Sequence, residues 1–148
     1  MKKNLRKNKK GFTLVEIIVV LLIIGILLAI TIPSIMGYVN KAKEAKYEAQ
    51  ARSGFLAAQT ITAANVAKGE TNDANLAAAI TKANVATELN ETAGNETISE
   101  INCTVSNKNL EKCSIKVKDF ADKWVNFEAN KEAVVATTPT VPAPTPAP

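Results

Sequence analysis

From Phe12 to Ile32 the chain is almost continuously apolar, with Thr13, Glu16 and Thr31 as the only polar side chains. A helix of that length, about 21 residues, rises roughly 31 Å, close to the ~30 Å thickness of a hydrocarbon core. Neither charge nor proline interrupts Ile17 to Ile30. The pattern predicts a membrane-spanning helix that begins near Phe12 or Thr13. Gly25 and Pro33 are its weak points. Glycine costs about 1 kcal/mol relative to alanine in a helix interior, and Pro33 cannot donate to the carbonyl of Ala29. The helix therefore kinks or ends at Pro33.

Beyond Pro33 the period stays helical but becomes amphipathic. Ile35, Tyr38, Val39, Ala42, Ala45, Ala49, Leu56 and Ala63 fall on one stripe at spacings of three, four or seven, the mark of a helix face that packs on a core. Glu48 and Arg52 form an i,i+4 pair, and Gly54 interrupts the pattern as a blemish. Lys68-Gly69 is the expected end signal, so the helix is predicted to stop at Val66 or Ala67. Thr71-Asn72-Asp73 is a loop with N-cap residues, and Asn75 to Ala86 is predicted as one short helix. The period then changes to two. Ile101, Cys103 and Val105 share one face of a first strand, and Cys113, Ile115 and Val117 share one face of a second. Ser106 to Asn109 is the turn between them. Asp119 to Asp122 makes a further turn. Trp124 to Ala129 is a third strand, with Val125 and Phe127 as its inward pair. The expected fold class is α+β, a long N-terminal helix on a small antiparallel sheet.

Composition divides the chain further. Five of the six prolines lie beyond Ala136, which predicts a flexible, extended tail over 136–148. A ligand for a proline-binding groove is the other reading of that tail. The predicted segments are thus a basic leader (1–11), the apolar helix (12–33), its amphipathic continuation (34–69), a globular head (70–135) and the tail (136–148).

The formal charge of +4 is misleading as a whole-chain property. Lys2, Lys3, Arg6, Lys7, Lys9 and Lys10 contribute six positive charges and no acid accompanies them. Without them the balance is +4 − 6, or about −2. The basicity belongs to the leader, where it orients a spanning helix with its basic end in the cytoplasm, and no nucleic-acid partner is predicted. The leader is too charged and too poor in apolar residues to fold alone.

Chemistry is sparse. Histidine is absent, no phosphate-binding glycine loop occurs, and the two cysteines lack a metal-binding spacing. Neither enzyme activity nor a cofactor is expected. Glu70 and Asp73 are isolated acids without the ligand density of a calcium loop, so no metal site is assigned. Cys103 and Cys113 permit a single pairing. In a hairpin centred near Lys108 they face each other, as Ile101 faces Ile115, and a disulfide can persist outside the cytoplasm. Two buried thiols are the alternative. Asn90-Glu91-Thr92, Asn95-Glu96-Thr97 and Asn102-Cys103-Thr104 match the short glycosylation triplet, a pattern common by chance in such sequences.

Two features distinguish the apolar segment from a simple anchor or a cleaved secretory signal. Glu16 lies one turn inside it. The small residue Gly11 precedes the run, and the Ala29-Ile30-Thr31 that ends it fits a cleavage site poorly. Lys9-Lys10-Gly11-Phe12-Thr13-Leu14-Val15-Glu16 followed by a long apolar helix resembles the class III signal of type IV pilins and pseudopilins. The likeness covers roughly the first 60 residues. It implies that a prepilin peptidase cuts between Gly11 and Phe12 and methylates the new Phe12 amine, and that Glu16 serves in subunit assembly. It also implies that Gly25 to Pro33 loses helix when packed in a filament.

On that resemblance the chain is expected to be a structural subunit, the major pilin, of a type IV pilus. It would be held in the membrane with its N-terminus cytoplasmic and delivered by an inner-membrane assembly platform into an extracellular homopolymer. The filament would serve adhesion, aggregation or twitching motility. A pseudopilin of a type II secretion or DNA-uptake machine is the alternative. A bitopic membrane protein with an exposed ligand-binding domain is a third reading, of a different class.

Overall fold

The structure is a computed structural model and describes residues 11–92, 94–120 and 122–143. The basic leader at positions 1–10 and the last prolines of the tail lie outside the described residues. Two compact units divide the chain, Met1–Ala42 and Lys43–Pro148.

Helix α1, Leu14–Ala67, supplies the regular structure of the first unit among the described residues and continues into the second. It stops at Ala67, where Gly69 takes a positive φ of 98° and the Lys68 and Gly69 N–H groups close onto the carbonyls of Ala64 and Val66. The predicted end at Lys68-Gly69 is borne out. So is the Glu48–Arg52 pair, at 3.6 Å.

The second unit is a four-stranded antiparallel sheet among the described residues, with α1 packed on one face. Its strands are β1 (Ile98–Ser106), β2 (Asn109–Val117), β3 (Trp124–Glu128) and β4 (Val134–Ala136), paired in chain order. Cys103 lies opposite Cys113 and Ile101 opposite Ile115, the register expected from a hairpin centred on Lys108. The two turn residues, Asn107 and Lys108, both adopt left-handed backbone, at φ 51° and 63°, as a type I′ turn requires. No glycine eases that turn. Instead the Asp73 carboxylate accepts the N–H groups of Asn107 at 2.9 Å and Lys108 at 2.8 Å.

The core forms where Ala51, Ala57, Ala58 and Ile61 of α1 meet Ile98, Cys113, Ile115, Val117, Val125 and Phe127 of the sheet. Two stacked aromatic pairs, Tyr47 with Phe120 and Phe55 with Phe127, flank it at centroid separations of 4.4 and 5.0 Å. This corrects the predicted stripe. Ile35, Tyr38, Val39, Ala42, Ala45, Ala49, Leu56 and Ala63 are all exposed, and a face running through Ala51, Gly54, Ala58 and Ile61 is buried in their place. Alanine recurs on every side of this part of the helix, so spacing alone does not choose the face. What chooses it is how closely the backbone must approach the sheet. At Gly54 an added Cβ would stand 3.0 Å from Ile98 Cδ1 and 3.5 Å from Ile115 Cδ1. The supposed blemish is the point of closest contact.

Three further expectations change. The single helix over Asn75 to Ala86 is two: α2 (Asp73–Ala78) and α3 (Lys82–Glu88). Buried Ile80 lies between them, and Thr81 starts the second by accepting the Asn84 N–H at 3.1 Å. Strand β3 buries both faces, Val125 and Phe127 inward as predicted but also Trp124 and Asn126 on the other side. The cause is the start of the supposed flexible tail. Residues 134–136 form β4 on β3, and the chain then crosses the outer sheet face. There Asn126 Nδ2 donates to the Thr138 carbonyl at 3.2 Å, and Asn126 Oδ1 accepts the Thr140 N–H at 3.1 Å. Ser114 Oγ accepts the Val141 N–H at 3.0 Å, and Val141 is buried. These bonds satisfy two buried polar side chains whose desolvation would otherwise be costly, and they fix as a strap what composition alone reads as loose.

Candidate functional site: the N-terminal segment

Gly11, Phe12 and Thr13 precede α1 outside regular secondary structure and are exposed, Phe12 by 85%. The Gly11–Phe12 peptide bond therefore lies in irregular, accessible backbone just before the helix. Thr13 starts the helix. Its hydroxyl oxygen accepts the Glu16 N–H at 3.3 Å, while Glu16 Oε2 accepts the Thr13 N–H at 2.8 Å and the Thr13 Oγ1–H at 2.9 Å. This reciprocal arrangement is a capping box, of a kind whose loss costs about 0.5–2 kcal/mol. The Glu16 carboxylate is thus satisfied within its own chain at the positive end of the helix. Sequence reasoning singled out Glu16 but missed its partner Thr13. The signal was present, because Thr13-x-x-Glu16 directly before an apolar run is the sequence form of that box.

All large apolar side chains from Leu14 to Val39 are exposed within the chain. Such a surface is far larger than a solvated monomer carries, and the segment is long and apolar enough to cross a membrane. The helix continues through both Gly25 and Pro33. Thr31 Oγ1 donates to the Leu27 carbonyl at 2.6 Å, while Pro33 leaves the Ala29 carbonyl without its usual donor. A methyl at Gly25 would meet nothing within 4 Å, so its choice is not imposed by packing inside this chain.

In the head, Cys103 and Cys113 are disulfide-bonded, which decides between the bridge and two buried thiols. The acids considered for calcium are engaged elsewhere. Glu70 accepts the N–H groups of Thr71 and Asn72 and the Asn75 amide. The Asn72 N–H above all, then the Asn75 amide, holds its carboxyl below the ordinary range. Asp73 is bound to the hairpin turn. Among the described residues no three or more His, Cys, Asp or Glu side chains come together. The structure brings Gly11, Phe12, Thr13 and Glu16 into one local site. Cys103 and Cys113 belong to the other unit.

Residues 6–32 match the family model described as the prokaryotic N-terminal methylation motif. Among curated proteins, the chain is 46% identical over 41 residues to the type II secretion system core protein G of Klebsiella michiganensis, across 28% of this chain and 29% of that protein. It is 31% identical over 85 residues to the type IV major alpha-pilin of Moraxella bovis, across 57% of this chain and 51% of that protein. The chain therefore spans between about a third and a half of the length of these relatives. No solved structure matches it. The N-terminal segment thus carries the methylation motif and is similar to segments of a type IV pilin and of a type II secretion protein.

Proposed function

We propose that this chain is a structural subunit, the major pilin, of a type IV pilus. The observation that carries the reading is the extent of similarity to the Moraxella bovis major alpha-pilin. It runs over 85 residues, well beyond the 6–32 motif, whereas the match to the secretion protein covers 41. The geometry supports the same role. A subunit whose apolar helix side chains from Leu14 to Val39 are uncovered requires either lipid or other subunits around them, and a filament core supplies the second. The disulfide-bonded head fits an exported, oxidising location.

In this reading an aspartic prepilin peptidase cuts the accessible Gly11–Phe12 bond and methylates the Phe12 amine. An inner-membrane platform then moves the subunit from bilayer to filament. Glu16 exchanges its intramolecular cap for the Phe12 amine of a neighbouring subunit. A Phe12 amine left alone at low dielectric costs several kcal/mol, so that pairing sets axial register. Helix loss between Gly25 and Pro33 accompanies packing in the filament. The filament serves adhesion, aggregation or twitching motility. The higher identity to the secretion protein over the shorter match favours a pseudopilin as the second reading.

Mass spectrometry of the exported chain should find Phe12 at its N-terminus, methylated, and Gly11→Val should block the cut. A mature start at Met1 or after Thr31 rules out both readings. Glu16→Ala should leave membrane insertion and the disulfide intact while abolishing incorporation into filaments. Wild-type filament yield from that variant would remove Glu16 from assembly. Imaging cells with antibody to residues 70–135 separates long surface filaments, expected for a pilin, from their absence, expected for a pseudopilin.

A further inference from the structure

Three Asn-x-Thr triplets occur in the head, at Asn90, Asn95 and Asn102, and the fold treats them differently. Transfer of a sugar to an asparagine amide needs two accessible groups, that amide and the hydroxyl two residues on, on backbone that is not locked in a sheet ladder. Asn102 fails on backbone. It sits in the middle of β1, paired with Ser114, and the intervening Cys103 is bridged to β2. Asn95 fails on the hydroxyl. Thr97 Oγ1 donates to Glu91 Oε1, and the Thr97 N–H is held by Glu91 Oε2 at 2.9 Å. Asn90 meets every condition. It follows α3 in left-handed backbone, at φ 56°, and both Asn90 and Thr92 are exposed. Neither their side-chain amide nor their hydroxyl has a hydrogen-bond partner among the described residues. The Asn90 and Glu91 N–H groups close back on Thr87 and Ala86, so this acceptor is presented at a fixed helix end.

We infer that Asn90 is a glycan attachment site on the exported head, and that Asn95 and Asn102 are not. The donor class is a lipid-linked, phosphate-activated oligosaccharide. The Asn90 side-chain nitrogen bonds to the anomeric carbon, the bond from that carbon to the phosphate oxygen breaks, and the lipid phosphate leaves with the electron pair. The amide gives up one proton. The left-handed backbone does not by itself demand this residue, because glycine serves equally at such a helix end. What distinguishes the site is that an exposed amide and an exposed hydroxyl at the correct offset both lie outside the sheet. The inference rests on the reading that the head is exported, for which the measured state of Cys103 and Cys113 is a separate readout.

The test is mass spectrometry of the full chain purified from the surface of its own cells, with digests that separate the three asparagines. A hexose- or aminosugar-containing mass increment is expected on Asn90 alone. It should vanish in Asn90→Gly, which keeps the backbone conformation, and in Thr92→Val, which keeps Asn90 itself. It should persist in Thr92→Ser, Asn95→Gln and Asn102→Gln. An unmodified Asn90 in chains whose Cys103–Cys113 bridge is formed overturns the site while leaving export intact. Unmodified Asn90 together with free thiols overturns both. Sugar on Asn95 or Asn102 in place of Asn90 also overturns the assignment.

Discussion

At Gly54 the second half of α1 meets the sheet, and the contact there is close enough to measure. In open helix, Gly54→Ala would stabilise by about 1 kcal/mol through propensity, and burying the methyl would add up to ~0.8 kcal/mol. The new Cβ would, however, stand 3.0 Å from Ile98 Cδ1 and 3.2 Å from Ile98 Cγ1. Ile98 is 1% exposed and has little room to retreat. Overpacking of this kind costs about 1–3 kcal/mol, so the single substitution should come out near zero or destabilising by about 1 kcal/mol. Ile98→Val removes the clashing Cδ1 and alone costs about 0.5–1.5 kcal/mol. In the Gly54→Ala background its cost should largely disappear, because the alanine methyl occupies the vacated space. The coupling between the two sites should therefore be about 1 kcal/mol or more. Urea unfolding of the full chain in detergent, followed through Trp124, gives all four stabilities. Trp124 is the sole tryptophan and is 8% exposed in the head, so its emission reports the relevant unit. A Gly54→Ala variant stabilised by the full open-helix amount, with additive effects in the double variant, would refute the close-approach explanation.

The remaining predictions concern the parts that composition leaves out. Asn126→Ala removes the group that holds Thr138 and Thr140, and should destabilise the head by about 1–3 kcal/mol. It should also make residues 137–143 susceptible to limited proteolysis, and an unchanged digestion pattern would contradict the strap. Cys103→Ser should cost about 2–4 kcal/mol, measured by the same unfolding assay, while quantitative thiol labelling of the untreated wild type would contradict the bridge. Hydrogen bonding by Lys131, with Lys112 nearby, lowers the Glu128 carboxyl, and Glu70 is lowered by its own set of N–H donors. A carboxylate depressed on folding contributes stability that is present above its unfolded pKa and lost as pH falls through the folded value. Stability of the head should therefore decline below about pH 4.5, and Glu70→Gln with Glu128→Gln should flatten that decline.

Period and turn chemistry made much of the head legible. The alternation through Cys103 and Cys113 fixed both strand faces, and Asn107-Lys108 set the register even without the glycine usual in such a turn. Lys68-Gly69 marked the end of α1 correctly. The buried face of α1 was not legible, because alanines at 42, 45, 49, 51, 57, 58, 63 and 64 make several stripes equally small and apolar. Only the tertiary contact selects among them, and it selects the one carrying Gly54. The strap was hidden for a different reason. Its binding residues, Ser114 and Asn126, occupy strand positions that read as solvent-facing polar side chains. Their partners are backbone groups of a proline-rich segment far along the chain, and no local pattern links the two.

The residues of the proposed N-terminal site stand out in the sequence, but the hydrogen bonding of Glu16 does not. An acid one turn inside an apolar helix reads as an unpaired charge awaiting a partner. The structure shows that Glu16 already has two donors, the N–H and hydroxyl of Thr13. This changes what an intermolecular pairing must accomplish in the proposed filament. A new contact with a neighbouring Phe12 amine does not rescue a bare charge. It competes with a formed capping box, so its advantage is the difference between two satisfied states and is smaller than the cost of an isolated carboxylate. A small difference of that kind allows the subunit to wait in the membrane without penalty. It also means that Thr13→Val, which removes the hydroxyl donor but leaves Glu16 in place, should shift subunits toward filaments relative to membrane, in the opposite direction to Glu16→Ala. Fractionation of sheared filaments from membranes measures that ratio. A Thr13→Val variant retained in the membrane would show that the box assists assembly and does not compete with it.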